Sequence, residues 1–153
     1  MMAGAASGPR SIAIVGPYLS GKTTLLESIL FVTGAIGRKG KVSEGSSVGD
    51  SSAEARGREM GVEVNVASTE FMGDRFTFLD CPGSIEFLQD SFSGLIGVDA
   101  AVVVCEADPT RALSVAPILR FLDQHKIPRI IFVNKLDRAT ASIGDIVASL
   151  QSA

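Results

Sequence analysis

The run Gly16-Pro17-Tyr18-Leu19-Ser20-Gly21-Lys22-Thr23 follows the apolar segment Ile12 to Val15 and opens a segment with helical spacing. It fits the pattern G-x-x-x-x-G-K-[ST], in which a strand turns through glycines into a helix. Glycines let successive backbone N–H groups turn toward one anion, and the following helix directs its positive end at the same point. With both flanks in place, the pattern predicts a phosphate-binding loop rather than a chance Gly-Lys-Thr helix start.

The positions of this loop have distinct expected roles. Lys22 is expected to reach the β- and γ-phosphates of a nucleotide, and the Thr23 hydroxyl is expected to bind Mg²⁺. Tyr18 could shield the phosphates, although an exposed loop aromatic is an equally good interpretation. The residues expected to contact the nucleotide from this segment are Gly16, Pro17, Tyr18, Leu19, Ser20, Gly21, Lys22, Thr23 and Thr24.

A second motif, Asp80-Cys81-Pro82-Gly83, ends the apolar run Phe76 to Leu79. A carboxylate at the carboxyl end of a strand lies where ligands bind in open α/β sheets, and Asp80 is expected to hold Mg²⁺ through water. Gly83 is expected to offer its N–H to a γ-phosphate and to shift when that phosphate leaves. Taken alone, Asp-x-Pro-Gly favours an ordinary turn. Its place about sixty residues after the phosphate-binding loop favours the functional interpretation.

A third motif, Asn134-Lys135-Leu136-Asp137, follows the apolar run Ile130 to Val133, for which we predict a buried strand. Asp137 could accept hydrogen bonds from guanine N1–H and the 2-amino group, neither of which adenine presents in that arrangement. A carboxylate left unpaired is costly, so such a site discriminates strongly between bases. Asn134 is expected to bind the other polar edge of the base and to tie back to the phosphate-binding loop. The Lys135 stem is expected to cover the base plane.

Strand and helix patterns alternate along the chain. Buried strands are predicted over Ile12–Val15, Ala100–Val104 and Ile130–Val133, and a hairpin over Val62–Val66 and Arg75–Leu79 with its turn at Gly73-Asp74. Helices are predicted over Lys22–Thr33, Ile85–Leu95, Arg111–Gln124 and Ser142–Leu150. Strands separated by helices favour right-handed βαβ units. We therefore expect a three-layer α/β/α fold of the P-loop NTPase type, with a mostly parallel sheet and one antiparallel edge hairpin.

Composition excludes several classes of protein. The 153 residues carry 14 Lys+Arg and 17 Asp+Glu, a net charge of −3, so direct DNA binding through a basic stripe is not expected. The longest apolar run, Ala100 to Cys105, is six residues, whereas a membrane span needs about 20. Cys81 and Cys105 form no metal or disulfide pattern, and reduced thiols in a cytoplasmic protein are the simplest interpretation.

In this order the three motifs resemble those of the GTPases, and in detail those of the translational GTPases. The runs Gly21 to Gly34, Asp80 to Phe87 and Ile127 to Arg138 are similar to elongation factor G and to tetracycline-type ribosomal protection proteins. The resemblance covers residues 11 to about 140. It implies binding of GTP and GDP with Mg²⁺, GTP hydrolysis in a translocation-type factor, and the ribosome as partner.

Composition and the resemblance together give the expected domain organisation. The Ala/Gly/Ser-rich residues 1–10 are expected to form a flexible tail, and residues 11–153 a GTP-binding domain. The Gly- and Ser-rich segment at about 35–60 is expected to be a mobile effector loop, with a plain disordered insertion as the open alternative. The family's last guanine-contacting loop and the strand before it do not follow Asp137, so we expect a C-terminally incomplete domain. Lys22, Gly83 and Ser84 are the residues expected to act in hydrolysis.

Three positions depart from the family pattern. Ser84 replaces the usual histidine that helps position the attacking water, and Glu63 stands where the family's effector loop has an Mg²⁺-binding threonine. Leu19 stands where the family often has aspartate. We therefore expect GTP binding to survive better than hydrolysis, because loss of a water-positioning group can cost several orders of magnitude in rate.

Rival interpretations remain open. The chain could be a guanine-nucleotide-binding module with little or no hydrolysis, a truncated non-functional fragment, or an ATPase. Arg56 and Arg58 could act as a charge-stabilising finger, but solvated loop arginines are the more common case. His125, the only histidine, is interpreted as a surface residue.

Overall fold

The computed structural model of the chain describes residues 10–40, 46–48, 64–83, 88–139 and 141–152. Within these residues one sheet contains the strands β1 (Arg10–Val15), β2 (Asn65–Phe71), β3 (Asp74–Asp80), β4 (Ala100–Glu106) and β5 (Arg129–Asn134). Their order across the sheet is β2-β3-β1-β4-β5. The pairs β3–β1, β1–β4 and β4–β5 are parallel, and the β2–β3 pair is antiparallel. The predicted sheet with its antiparallel edge hairpin is confirmed.

Helices cover both faces of this sheet. They are α1 (Lys22–Val32), α2 (Leu88–Leu95), α3 (Ala116–Gln124) and α4 (Ile143–Ser152), with short 3-10 helices at Pro109–Val115 and Leu136–Arg138. On one face Leu26 and Leu30 of α1 pack with Ile14. On the other face Leu122 of α3 and Ile146 of α4 belong to the larger core cluster. The predicted three layers are therefore present.

The predicted helix over Arg111–Gln124 is wrong in its first part. Pro109–Val115 form a 3-10 helix, and the α-helix begins at Ala116 with Pro117 in its first turn. Pro117 has no backbone N–H, so a continuous α-helix through this point would lose a hydrogen bond and meet a steric clash. In the first turn of a helix that N–H has no intrahelical partner, and proline is tolerated there.

The predicted apolar face of the hairpin is also only partly correct. Val64 packs against the core cluster, but Val66 is 63% exposed. Because β2 lies at the edge of the sheet, its outer part is left uncovered. Val62 lies outside the described residues.

Strand β1 begins at Arg10, which was expected to be the last residue of the flexible tail.

The prediction of a buried strand over Ile130–Val133 is wrong for its first three residues. Ile130, Ile131 and Phe132 are 68%, 39% and 40% exposed. Within the described residues β5 pairs with β4 alone, so it is an edge strand despite its apolar sequence. By contrast the inner strand β4 buries Val103 completely.

Among the helices that the structure describes, none has both the length and the apolar character to span a bilayer.

Candidate functional site

The topology brings the three sequence motifs to one edge of the sheet. The parallel strands β1, β3 and β5 end at Val15, Asp80 and Asn134, and the motifs begin at or directly after these ends. The carboxyl ends of parallel strands are where ligands bind in open α/β sheets. The arrangement therefore forms one candidate site from segments that are distant in the sequence.

Two glycines fix the phosphate-binding loop against neighbouring strands. A Cβ on Gly16, whose φ is +150°, would lie 2.0 Å from the carbonyl oxygen of Val104. A Cβ on Gly21, whose φ is +97°, would lie 2.3 Å from Nδ2 of Asn134. Residues with a side chain would therefore push the loop away from β4 and β5. Gly21 precedes α1, whose N-terminus faces the loop.

Lys22 is buried inside this loop. Only 8% of the residue is exposed, and its Nζ donates a hydrogen bond to the carbonyl oxygen of Pro17 at 2.9 Å. Burial lowers the pKa of its ammonium group, and the nearby Asp80 carboxylate acts in the opposite direction. A buried ammonium group is poorly solvated, so a neighbouring anion would stabilise it.

Asp80 has one satisfied and one unsatisfied carboxylate oxygen. Thr23 Oγ1 donates to Asp80 Oδ2 at 2.7 Å, whereas Oδ1 is buried and has no hydrogen-bond partner among the residues that the structure describes. Burial raises the pKa of this carboxyl group, and the Thr23 hydrogen bond and the Lys22 charge oppose the rise. An orphaned carboxylate oxygen beside a threonine hydroxyl fits the oxygen donors that Mg²⁺ prefers. Ser20 Oγ is likewise buried, and no described residue forms a hydrogen bond with it.

The segment after β3 lies directly against the phosphate-binding loop. A Cβ on Gly83 would lie 2.2 Å from Lys22 Nζ and 2.8 Å from the carbonyl oxygen of Gly16. The Cys81 N–H donates to the carbonyl oxygen of Ile14 at 3.0 Å, and burial raises the pKa of its thiol to about 12. Cys81 is therefore an inert packing residue in this structure. Ser84 lies outside the described residues.

The third motif is tied to the phosphate-binding loop by two side chains. Asn134 Nδ2 donates to the carbonyl oxygen of Ser20 at 2.9 Å, the tie expected from the sequence. Lys135 Nζ donates to the carbonyl oxygen of Leu19 at 2.7 Å. The Lys135 backbone is left-handed, with φ of 58°, and its N–H donates to Asn134 Oδ1 at 2.9 Å.

Asp137 differs from Lys22, Asp80 and Asn134 because it projects into solvent. Its side chain is 79% exposed, and Arg138 Nε lies 3.8 Å from one carboxylate oxygen. Such an exposed ion pair contributes little energy. The carboxylate is therefore accessible to a base edge.

Sequence reasoning missed Glu106 at the end of β4. Its carboxylate accepts hydrogen bonds from Lys135 Nζ and from Arg111 Nη1. It thereby holds the lysine stem that was expected to cover a base. The signal was present in the sequence, because Glu106 ends the apolar run of β4 as Asp80 ends that of β3.

The remaining candidates lie at the margin of the site or outside it. Tyr18 is 44% exposed and Thr24 is exposed, so neither is held by the core. His125 is exposed, and its ring centroid lies 4.3 Å from that of Phe121, away from the three motifs. Cys105 is buried in the core cluster. The candidates Arg56, Arg58 and Glu63 lie outside the described residues.

Comparison with known proteins places this geometry in a family. The family model described as "Elongation factor Tu GTP binding domain" matches residues 8–153. An "Elongation factor G-like protein" of Synechocystis sp. is 52% identical over 143 residues, 94% of this chain and 21% of the relative. "Elongation factor G 2" of Streptomyces coelicolor is 34% identical over 142 residues, 93% of this chain and 21% of the relative.

A solved structure agrees with these relatives. A crystal structure of a protein from Thermus thermophilus superimposes with a TM-score of 0.85 at 34% identity, covering 94% of this chain and 22% of that one. The chain thus spans about a fifth of the length of the relatives it matches. Because the family model covers nearly all of its residues, the chain belongs to the family of elongation factor Tu-type GTP-binding domains.

Proposed function

We propose that the chain binds GTP and GDP with Mg²⁺ and hydrolyses GTP to GDP and phosphate, as the nucleotide-binding part of an elongation factor G-like factor. The observation that carries the proposal is the hydrogen-bonded connection of all three motifs. Thr23 joins Asp80, and Asn134 joins the loop at Ser20. A single ligand that carries phosphate groups, a metal ion and a base would therefore contact all three motifs.

The phosphate end of the site supplies positive charge and backbone donors. The Lys22 ammonium would exchange the Pro17 carbonyl for the β- and γ-phosphate oxygens, which relieves its unfavourable burial. The N-terminus of α1 would face the same anions. Both groups would stabilise charge that develops on the phosphate oxygens when water attacks the γ-phosphate.

Asp80 and Thr23 are the residues that would hold Mg²⁺. Within the described part of the chain the buried Oδ1 of Asp80 has no partner, and Thr23 Oγ1 lies 2.7 Å from the other carboxylate oxygen. When bound, the metal would neutralise part of the negative charge on the phosphates. Gly83 lies close enough to Lys22 to offer its N–H to the γ-phosphate in the same place.

Asn134, Lys135 and Asp137 would bind the guanine base. Asp137 would accept from N1–H and the 2-amino group, and Asn134 would hold the base relative to the loop through its bond to Ser20. The Lys135 stem, held by Glu106 and the Leu19 carbonyl, would lie over the base plane. This arrangement favours guanine over adenine and so opposes the ATPase alternative.

Slow hydrolysis is the expected behaviour of the chain by itself. Ser84 is too short to position water as the family's histidine does, and Glu63 cannot reproduce the threonine of the family's effector loop. The same two residues favour the alternative of a binding module with little or no hydrolysis. By family resemblance the partner of the whole factor is the ribosome, and the compartment is the cytoplasm.

A phosphate-release assay with Mg²⁺-GTP tests this proposal, with and without ribosomes. We expect slow release by the wild-type chain and faster release by Ser84→His, with Ser84→Ala as the matched control that stays at or below wild type. Equal release by all three chains at the rate of the uncatalysed reaction, with GTP bound, would favour the binding-module alternative. Failure of the folded chain to bind GTP would refute the proposal as a whole.

A further inference from the structure

A fully buried carboxylate lies outside the nucleotide motifs. Glu27, in the middle of α1, is 1% exposed. Its Oε2 accepts a hydrogen bond from the backbone N–H of Gly40 at 2.8 Å, and its Oε1 accepts from the backbone N–H of Val48 at 2.5 Å. One side chain therefore holds two points of the segment that follows α1. Hydrogen bonds to a charged acceptor are among the stronger ones in proteins.

The two held points also lie so close together that only glycine fits at position 40. A Cβ on Gly40 would lie 2.2 Å from the carbonyl oxygen of Ser46 and 2.7 Å from Cα of Ser47. The obstructing atoms belong to the backbone, so a larger residue at position 40 would force the two passages apart. Ser47 is itself 8% exposed. We refer to Glu27, Gly40 and residues 46–48 as the clasp.

The clasp lies on the same side of α1 as the candidate metal ligand. Thr23 and Glu27 are four residues apart in the helix, so their side chains project from one face, about one turn apart. Thr23 points to Asp80, and Glu27 points to the segment after the helix. A rigid helical turn thus separates the metal-binding hydroxyl from the clasp.

We infer that Glu27 is a positioning residue, which fixes residues 40 and 46–48 relative to Thr23 and thereby strengthens the binding of Mg²⁺-GTP. This inference rests on the proposed function, because it concerns the affinity of that same site. Both carboxylate oxygens of Glu27 bind backbone N–H groups, and Glu27 is not among the residues proposed to contact the nucleotide. Linkage between two equilibria is reciprocal. A clasp whose hydrogen bonds strengthen nucleotide binding must therefore be stabilised by bound nucleotide by the same factor.

Two substitutions open the clasp from opposite sides. In Glu27→Gln one acceptor oxygen remains, but the new NH₂ group faces a backbone N–H, so one hydrogen bond is replaced by a conflict between donors. Gly40→Ala places a methyl group against the Ser46 carbonyl without altering Glu27. Ser28→Ala is the matched control, since the Ser28 hydroxyl donates to the Thr24 carbonyl and not to the clasp.

Limited trypsin digestion and nucleotide titration together test the inference. We expect cleavage after Lys39 to accelerate about tenfold in both clasp variants and to stay unchanged in Ser28→Ala. Mg²⁺-GTP should slow this cleavage in the wild-type chain, and both clasp variants should bind Mg²⁺-GTP about tenfold more weakly. Should Glu27→Gln fail to fold, Gly40→Ala gives the same test.

The outcomes separate this inference from the proposed function. Faster cleavage with wild-type GTP affinity would show that Glu27 only stabilises the fold, and would overturn the positioning role. Unchanged cleavage would show that the clasp does not hold the segment, and would also overturn it. A folded wild-type chain that binds no GTP would instead refute the proposed function, and the positioning role with it.

Discussion

The phosphate end and the base end of the candidate site are built in different ways. At the phosphate end, Lys22 and Asp80 are 8% and 5% exposed and are held by the core before any ligand arrives. At the base end, the Asp137 side chain is 79% exposed and the Lys135 side chain 31%. Charge is preorganised where phosphate would bind, whereas the base selection that we propose would depend on an accessible carboxylate at the rim.

The difference has a consequence for the effects of substitutions. A change at the buried end alters both folding and ligand binding, because charged groups there depend on each other for compensation. A change at the exposed end alters ligand binding with little effect on folding. The two ends can therefore be told apart by measuring stability and affinity on the same variants.

The largest expected contrast is in thiol reactivity between the two ends. Raising the pKa of Cys81 from 9.0 to about 12 lowers its thiolate fraction at pH 8 about a thousandfold. The higher nucleophilicity of a high-pKa thiolate offsets part of this difference, whereas the burial of Cys81, which is 1% exposed, adds to it. An exposed thiol introduced by Arg138→Cys should therefore react with iodoacetamide about a hundredfold or more faster than Cys81. Peptide mass spectrometry resolves the two sites, and the urea-unfolded variant, in which both should react alike, is the control. Similar rates in the folded chain would show that the phosphate end is open.

Lys22→Ala should cause the largest loss of ligand binding. Removing a buried cation that faces the phosphates should weaken Mg²⁺-GTP binding ~100-fold or more, as measured by isothermal titration calorimetry. Arg120→Ala, which removes an exposed cation from α3, is the control and should bind as wild type. An unchanged affinity in Lys22→Ala would remove the basis for the phosphate-binding loop.

Asp137→Asn should weaken guanine binding and leave folding intact. We expect GDP affinity to fall by about tenfold or more, because the amide cannot accept both guanine donors. Because Asp137 is exposed, the free energy of unfolding in urea should change by less than about 0.5 kcal/mol. An unchanged preference for GDP over ADP would support the ATPase alternative, and a large loss of stability would contradict the contrast between the two ends.

The smallest predicted effect concerns Leu19, where the two ends meet. Its φ is 61° and it is 57% exposed, so an apolar residue occupies a left-handed position in solvent. Asparagine tolerates this conformation better, and Leu19→Asn should stabilise the chain by about 0.5–1 kcal/mol. Thermal unfolding of Leu19→Asn against Leu19→Ala checks this prediction. A melting temperature no higher than that of the alanine variant would show that the backbone changes conformation on substitution.

Much of the fold could be predicted because its signals are local. The glycine turn after Val15 and the alternation of apolar strands with helical spacing correspond to β1, α1 and the parallel sheet. Burial of β5 was predicted wrongly because exposure depends on position in the sheet, and nothing in the run Ile130–Phe132 distinguishes an edge strand from an inner one. Apolar sequence alone indicates a strand and does not give its neighbours.

The candidate site could be predicted where one short motif contains the whole signal. Lys22, Asp80 and Asn134 were found in this way, and the structure brings their segments together. Glu27 was missed because its partners lie 13 and 21 residues away in the sequence. Glu106 had a local signal at the end of the apolar run of β4, and only its contact with Lys135, 29 residues away, depends on the fold. An isolated glutamate carries no pattern until the fold shows which backbone or side-chain groups it meets.

Calorimetric titration of the 153-residue chain with Mg²⁺-GDP, Mg²⁺-GTP and Mg²⁺-ATP measures whether the three motifs form one guanine-nucleotide site. We expect saturable binding of both guanine nucleotides and no detectable binding of ATP at the same concentrations. Equal binding of ATP would contradict the assignment of Asp137 to base selection. Absence of all binding by a folded chain would contradict the claim that the three connected motifs form a nucleotide site.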